Sequence, residues 1–276
     1  MTLTNDGIVS EICRFVAGHP GNILLGSDSP YLDSPLVGFS SAADPLYTEY
    51  KTIIGQVHLL PGELLPAAAT IITWILPISR PVRESNRLQT DLPSREWALT
   101  RTHGEVINAD LRRHLVAWLQ EQGVQAVAPQ YSPLWQEFRE TPVGIASTWS
   151  ERHAAYAAGL GTFSLSDGLI TPRGIAHRCG SVITDLQLAP TPRTALNHRH
   201  NCLYHRDGSC GSCIERCPVG AITLDGHDKS ICRELVYGTA PEKLSELYGV
   251  PQTGCGLCQT RVPCEAMIPP GATRDK

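Results

Sequence analysis

The stretch that decides the fold is CLYHRDGSCGSCIERCPVGAI, residues 202–222, and GCGLCQTRVPCE follows it at residues 254–265. The chain has ten cysteines among its 276 residues, and eight of them lie between Cys202 and Cys264. The N-terminal residues MTLTNDGIVSEICRF lack the basic and then apolar run of a secretory signal, so we expect a cytoplasmic protein. In that reducing compartment, clustered thiols indicate metal ligands rather than disulfides.

The spacing of these cysteines is typical of a ferredoxin-like module. Cys210, Cys213 and Cys217 follow the pattern C-x2-C-x3-C-P, in which the cysteine before proline binds the other cluster of a pair. Crossed ligation then divides the eight cysteines into two groups of four. The first set is Cys202, Cys210, Cys213 and Cys264, and the second set is Cys217, Cys232, Cys255 and Cys258. Each set is predicted to bind one [4Fe–4S] cluster, and two clusters in one module indicate electron transfer.

Two structural zinc sites are the alternative, because zinc also accepts C-x2-C pairs in sets of four thiolates. The x3-C-P element and its continuation, CPVGAI at residues 217–222, favour iron–sulfur clusters. The two remaining cysteines, Cys13 and Cys179, are expected to be buried core thiols.

The hydrophobic pattern upstream of the cysteines predicts helices and strands of ordinary length. The predicted helices cover residues 8–17, 44–54, 105–121 and 150–159, and the predicted strands cover residues 70–78 and 124–129. GLITP (168–172) and SVITDLQL (181–188) are expected to pair with each other around the turn PRG (172–174).

The proline-bearing segment APTPRTALNHRH, residues 189–200, is predicted to connect two domains. We place the boundary near residue 195, which gives a first domain at 1–195 and a second domain at 196–276.

Several classes of protein are disfavoured by composition and motifs. The net charge of −4 gives no support for a nucleic-acid surface. No G-x-G-x-x-G follows a predicted strand, which argues against a dinucleotide fold. The most apolar stretch, LLPAAATIITWILPI (64–78), is too short and too rich in proline to span a bilayer.

The order of the motifs resembles that of epoxyqueuosine reductases and, more distantly, that of reductive dehalogenases. The motifs are HLLPGELLPAAATIITWILP (58–77), ERHAAYAAGLGTFSLSDGLITPRG (151–174), GSVITDLQLAP (180–190) and the cysteine module. The resemblance covers roughly residues 55 to 265, and AGLG (158–161) followed by the eight cysteines is its most specific part. It implies an α+β fold, with a nitroreductase-like cobalamin-binding domain followed by a small ferredoxin-like domain that holds two [4Fe–4S] clusters.

The same resemblance implies a cobalamin bound in the base-off form and reduced by the clusters to nucleophilic Co(I). The absence of a D-x-H-x-x-G motif agrees with that binding mode. Arg101 and His103 fall where the family has a polar segment near the cofactor. The residues implied to lie against or near the corrin ring are Gly159, Leu160, Gly161, Thr162, Phe163, Ser164, Gly168, Leu169 and Ile170. A flavin is the alternative flat cofactor.

The sequence also departs from the pattern of epoxyqueuosine reductases. Ile145 stands where the family has an aspartate that donates a proton, and a hydrocarbon side chain cannot replace it. The spacing from Cys202 to Cys210 is x7 instead of x2, and the spacing from Cys258 to Cys264 is x5 instead of x3. The candidate proton donors by residue type are Tyr156, His153, His103 and Tyr131.

We therefore expect a divergent reductase that acts on an unidentified substrate, either small or bound to nucleic acid. Its electrons would come from an external low-potential donor such as ferredoxin or flavodoxin. Two other hypotheses stay open at this point. One is an electron carrier that has lost the corrinoid, and the other is a true epoxyqueuosine reductase with its acid supplied from elsewhere.

Overall fold

The computed structural model describes residues 3–271. Residues 1–2 of the predicted first domain and 272–276 of the predicted second domain lie outside the described residues. The helices are α1 (Asn5–Gly18), α2 (Pro45–Ile53), α3 (Pro61–Leu64), α4 (Arg80–Arg87), α5 (Arg95–Glu121), α6 (Glu151–Ala157), α7 (Leu203–Asp207), α8 (Ser212–Glu215), α9 (Lys229–Glu234) and α10 (Ala240–Tyr248). The strands are β1 (Leu36–Ser41), β2 (Thr70–Pro77), β3 (Ala126–Val127), β4 (Glu137–Thr141), β5 (Gly144–Ser147), β6 (Thr162–Phe163), β7 (Leu169–Ile170), β8 (His177–Thr184), β9 (Ile222–Thr223) and β10 (Gly226–His227). The predicted α+β class is confirmed.

The main sheet is antiparallel, with the strand order β1-β2-β8-β3. Strand β2 lies in its interior, and every one of its residues is buried. Trp74 and Leu76 belong to the hydrophobic core that includes side chains of α1 and α5, while Ile75 packs with α6. A β-branched apolar run that is covered on both faces therefore explains the predicted strand at 70–78.

Helix α5 is longer than predicted. Its second half buries one apolar face, as the pattern at 105–121 indicated, but the helix begins at Arg95. The Ser94 side chain caps it by accepting a hydrogen bond from the Trp97 N–H at 3.1 Å. The polar run from Thr100 to His103 interrupts the apolar pattern, which is why the sequence did not predict this first part.

The predicted pairing of GLITP with SVITDLQL is wrong. Strand β7 pairs with β6, so that Thr162 lies opposite Ile170, while β8 pairs with β2 along its whole length. The turn between the two predicted strands closes only an isolated bridge between Thr171 and Gly174. The apolar residues of β8 thus complete the main sheet and are not available to a local hairpin.

The eight clustered cysteines lie in a small module that contains the short helices α7 to α10 and the hairpin β9–β10. Its hydrophobic cluster includes Cys202, Ile222 and Val262 together with Ile170 and Ile175 from upstream of residue 195. A backbone hydrogen bond of 2.9 Å from Ile175 N to Cys264 O joins the same two regions. The domain division near residue 195 stays a prediction, and packing crosses it. Among residues 3–271, no helix is long and apolar enough to cross a membrane.

Candidate functional site

The four cysteines of the first set line one cavity. Cys202, Cys210, Cys213 and Cys264 all line it, together with apolar side chains such as Ile170 and Ile175. Burial, and next the charges of Cys202 and Cys210, raise the pKa of Cys213 to about 11. Burial and the other three thiols of the set also raise the pKa of Cys264. The cavity thus brings together the four thiols that the spacing assigned to one cluster.

The second set lies beside the first. Burial, and next the charges of Cys232 and Cys217, raise the pKa of Cys255 to about 11. Cys258 lines the cavity of the first set. Burial, and next the charges of Cys255, Cys232 and Cys217, raise its pKa. The Ala221 N–H donates a hydrogen bond to the Cys217 sulfur at 3.2 Å. The two groups of thiols are therefore neighbours.

The donor chemistry of both sets fits a cubane cluster. Within residues 3–271, no group of three or more histidine, cysteine or acidic side chains is arranged to hold a single metal ion. In a [4Fe–4S] cluster each thiolate binds a different iron atom, so the four ligands are spread around the cluster instead of meeting at one point. The ligand assignment stays a prediction.

Helix α4 fixes the loops that carry the last cysteines. Glu265 follows Cys264 and is buried, and its carboxylate forms ion pairs with Arg83 at 3.1 Å and Arg87 at 2.8 Å. The buried Asn86 amide donates to the Cys255 carbonyl oxygen at 3.2 Å. Charges and amides are buried at low cost only when they are paired, and here these contacts attach the cysteine loops to α4.

Trp97 packs directly on the loop around Cys255. A Cβ atom added to Gly256 would overlap the Trp97 ring, and both Gly254 and Gly256 have a positive φ, near +64° and +67°. Glycine on each side of Cys255 therefore lets the loop turn tightly against α5. Arg101, predicted to contact the cofactor, packs its aliphatic part near Gly254.

The AGLG segment ends α6 and leads into the hairpin β6–β7. Gly159, Gly161, Phe163 and Gly168 are partly exposed. The buried members of the predicted corrin surface are Leu160, Thr162, Ser164, Leu169 and Ile170.

Two of these glycines have a packing reason that involves only protein atoms. A Cβ atom on Gly161 would overlap the Ile170 carbonyl oxygen, and one on Gly159, whose φ is +71°, would lie 2.7 Å from the Pro192 oxygen. The hairpin can therefore pack closely only with glycine at these positions. Their role in cofactor binding stays a prediction.

Aromatic side chains form a partly exposed surface beside this hairpin. The Phe163 ring lies 4.8 Å from the His153 ring and 6.0 Å from the Tyr156 ring, between ring centres. Tyr156, Phe163, Leu36 and Cys179 pack on a buried apolar cluster that includes Leu169. We call these four residues the aromatic ledge. An apolar surface of this kind fits one face of a flat macrocycle.

The predicted proton donors differ in their surroundings. Burial, and next the charge of His58, lower the pKa of His153 to about 3, so this imidazole is neutral at pH 7. Burial raises the pKa of Tyr156, which therefore keeps its hydroxyl proton. His103 is exposed and stacks on Tyr31 at 5.5 Å, and Tyr131 is exposed beneath the Arg113 guanidinium. His153 and Tyr156 both lie against Phe163, whereas His103 and Tyr131 contact other residues.

Charged groups that the sequence did not single out gather around Asp167. The His227 Nδ1 atom lies 3.2 Å from the Asp167 carboxylate, and Arg152 donates to the Asp167 carbonyl oxygen at 2.5 Å. Burial lowers the pKa of His227, but the neighbouring Asp167 carboxylate and, next, Cys232 outweigh burial and raise it to about 9. Lys229 contributes further positive charge to Asp167.

The two residues of the E-R pair point in different directions. Glu151 is directed inward, where it accepts a hydrogen bond from Ser181 at 2.5 Å and lies 3.5 Å from Arg112. Burial raises the pKa of Glu151, although Arg112 opposes this shift. Arg112 also donates a hydrogen bond of 3.1 Å to the Cys179 carbonyl oxygen, in the part of β8 that does not pair with β3. The adjacent charges at the start of α6 were visible in the sequence, whereas Arg112 offered no local signal.

Solved structures of known proteins share this architecture. A selenomethionine-labelled epoxyqueuosine reductase matches with a TM-score of 0.50 and 19% identity, over 87% of this chain and 66% of that chain. The epoxyqueuosine reductase from Bacillus subtilis matches with a TM-score of 0.52 and 18% identity, over 87% of this chain and 63% of that one. The chain has the fold of these reductases. This confirms, for the fold, the resemblance found in the sequence.

The reductive dehalogenases share the fold as well. The catabolic reductive dehalogenase NpRdhA, in complex with 3-bromo-4-hydroxybenzoic acid, matches with a TM-score of 0.55 and 14% identity, over 97% of this chain and 37% of that chain. The present chain thus spans less than two thirds of the length of the reductases it matches. No family model and no curated protein matches it.

Proposed function

We propose that this protein is a cytoplasmic iron–sulfur oxidoreductase of the epoxyqueuosine reductase type. The two cysteine sets would hold two [4Fe–4S] clusters, which would take electrons from an external low-potential donor, such as ferredoxin or flavodoxin, and supply them to a base-off cobalamin for the reduction of an unidentified substrate. The observation that carries this proposal is the position of strand β7. Ile170 lines the cavity of the first cysteine set, and its neighbour Leu169 packs beneath the aromatic ledge.

One strand therefore separates the proposed cluster site from the proposed cofactor surface. Successive residues of a strand point to opposite faces, so Ile170 and Leu169 contact the two sites from a single backbone segment. Ile170 also packs with Cys202, Cys213 and Cys264 in one hydrophobic cluster. This arrangement supports transfer of electrons from the proposed cluster site to the proposed cofactor surface across a single strand.

The residues of this chain have separate roles in the proposed reaction. The second cysteine set and the first cysteine set would each hold one cluster, in that order along the electron path. The aromatic ledge would support the corrin ring. When bound, the cobalamin supplies a reduced cobalt centre that can remove oxygen, halide or a similar group. Tyr156 keeps its proton at neutral pH and donates it to the substrate, while neutral His153 packs against Phe163 and limits access of water.

A second candidate function is supported by a specific observation. The AGLG glycines pack against protein atoms, and protein atoms also bury Thr162 and Leu169 fully. An electron carrier that keeps the fold but binds no corrinoid would show the same packing. A true epoxyqueuosine reductase is less well supported, because Ile145 replaces the family's acid. One structure with this fold is an epoxyqueuosine reductase with an epoxyqueuosine-modified tRNA-Tyr stem loop, so a tRNA would be the substrate under this alternative.

Absorbance spectroscopy separates these candidates. Anaerobically purified protein is mixed with cobalamin and a low-potential reductant, and the spectrum is compared with that of the Phe163→Asp variant. With the wild type we expect a base-off spectrum and formation of Co(I). With the variant we expect cobalamin affinity to fall at least about tenfold, because binding must then desolvate a charge on the aromatic ledge. The matched control is Phe138→Asp, in the β4–β5 hairpin. An unchanged cobalamin spectrum with the wild-type protein contradicts the proposal and favours the electron carrier.

A further inference from the structure

The Arg216 side chain connects two parts of the second cysteine set. Arg216 directly precedes Cys217 at the end of α8, and it is half-buried. Its Nε atom donates hydrogen bonds to the carbonyl oxygens of Leu257 at 3.2 Å and Thr260 at 3.1 Å. These two residues lie on either side of Cys258 in the chain. Arg216 therefore holds the loop that carries Cys258 against the backbone that carries Cys217.

The same guanidinium is anchored at the end of α4. Its two terminal nitrogens donate to the carbonyl oxygens of Gln89 at 2.7 Å and Asn86 at 3.3 Å. Asn86 is fully buried, and its own amide donates to the Cys255 carbonyl oxygen and to the Thr260 hydroxyl. The loop from Cys255 to Thr260 is thus held by two side chains that are also bonded to each other.

The chemistry of a guanidinium suits this position. Its planar fork carries N–H donors in fixed directions, and here they reach four backbone carbonyl oxygens. No carboxylate among residues 3–271 forms an ion pair with this group, so its positive charge is not neutralised there. Net charge is one of the factors that set the reduction potential of an iron–sulfur cluster. A nearby positive charge stabilises the reduced cluster, because reduction adds negative charge to the iron–sulfur core.

We propose that Arg216 is a positioning residue of the second cluster, which fixes Cys217 and Cys258 relative to each other and whose positive charge raises the reduction potential of that cluster. The inference rests on the proposed function in one respect, because Cys217 and Cys258 must be ligands of one cluster. Cys264, in the first set, is attached to α4 by different groups, since its neighbour Glu265 pairs with Arg83 and Arg87. The effect of Arg216 is therefore selective for the second cluster.

The test combines two measurements on anaerobically purified protein. The first follows the loss of each cluster to an iron chelator by EPR of reduced samples. In Arg216→Met, the second cluster is lost at least about tenfold faster than in the wild type, because the hydrogen bonds that hold its ligand loop are gone. The first cluster is lost at the wild-type rate.

The second measurement is an EPR-monitored redox titration. In Arg216→Met, the ratio of reduced to oxidised second cluster at a fixed potential falls at least about tenfold, which corresponds to a downward shift of about 59 mV for a one-electron couple. Arg216→Lys keeps the charge but not the planar fork, so its second cluster has the wild-type potential and is still lost faster. The matched control is Arg206→Met, whose guanidinium bonds to the adjacent Asp207, and it leaves the second cluster unchanged in both measurements.

Three results overturn the inference. They are an unchanged rate of loss of the second cluster, an unchanged potential of that cluster in Arg216→Met, and an equal acceleration of loss for both clusters, which indicates a purely structural role. If Arg216→Met does not fold, the rate of loss in Arg216→Lys decides. A wild-type protein without iron contradicts the proposed function itself, and that outcome is distinct from two clusters that are insensitive to Arg216.

Discussion

The ammonium group of Lys229 donates a hydrogen bond to the carbonyl oxygen of Ile145 at 3.2 Å. Lys229 begins the helix that carries Cys232, and Ile145 is the residue that the sequence analysis matched to an aspartate of epoxyqueuosine reductases. The same ammonium donates to the Val143 carbonyl oxygen at 2.8 Å. The hairpin β4–β5 is thus attached to the helix that carries Cys232.

Substitution of Lys229 by Met should release this hairpin. The loss of two charge-assisted hydrogen bonds from a half-buried group costs on the order of 1 kcal/mol of local stability. We expect faster amide hydrogen exchange in residues 137–147, measured by mass spectrometry. Lys243→Met, at an exposed position of α10, is the matched control. Equal exchange in the hairpin of both variants would show that Lys229 does not hold it.

Substitution of Gly161 by Ala should destabilise the protein even without cobalamin. The added Cβ atom would overlap the Ile170 carbonyl oxygen, so β6 and β7 must move apart. Strain of this kind typically costs about 1–3 kcal/mol, which thermal unfolding detects. Gly62→Ala, at a position with open space around the added atom, is the control. A Gly161→Ala protein as stable as the wild type that binds cobalamin less well would instead assign the glycine to the cofactor.

His58 makes the stability of the fold depend on pH. Burial, and next the charge of Lys51, lower the pKa of His58 to about 4. The unfolded chain has the ordinary value near 6.5, so between these values only the unfolded state binds the proton. Stability therefore falls as the pH drops through this window, by up to about 1.4 kcal/mol for each pH unit.

Glutamine at position 58 can still accept from the Ser150 N–H but does not titrate. The thermal midpoint of His58→Gln should therefore fall less than that of the wild type between pH of about 7 and about 5. His103→Gln, at an exposed position, serves as the control. If the wild type and His58→Gln lose the same stability over this range, the buried imidazole is not the cause.

Parts of the fold were predictable because their signal is local. Strand β2 is a continuous apolar run, and the second half of α5 has one apolar face, so periodicity identifies both. The partner of GLITP was not predictable, because two apolar residues such as Leu169 and Ile170 are equally compatible with a hairpin to β6 and with a hairpin to β8. Pairing depends on which edge the main sheet leaves free, and the sequence pattern does not contain that information.

The candidate site also combines features that the sequence predicted with features that it did not. The spacing of the cysteines predicted two neighbouring sets of four thiols, and the cavity brings the first set together. The contact between His227 and Asp167 joins residues that are 60 positions apart. No motif marks either residue, so only the folded chain shows that they are partners.

The crossed ligand assignment predicts that the two central cysteines serve different clusters. Cys213→Ser should deplete one cluster, and Cys217→Ser should deplete the other, because these residues belong to separate sets. EPR spectra of the reduced variants distinguish the two clusters. Depletion of the same signal in both variants contradicts the assignment.

Metal and sulfide analysis of anaerobically purified protein tests the central claim most directly. The account predicts about eight iron atoms and about eight acid-labile sulfides for each chain, together with visible absorbance from thiolate-to-iron charge transfer. Stoichiometric zinc, without labile sulfide or this absorbance, would contradict it.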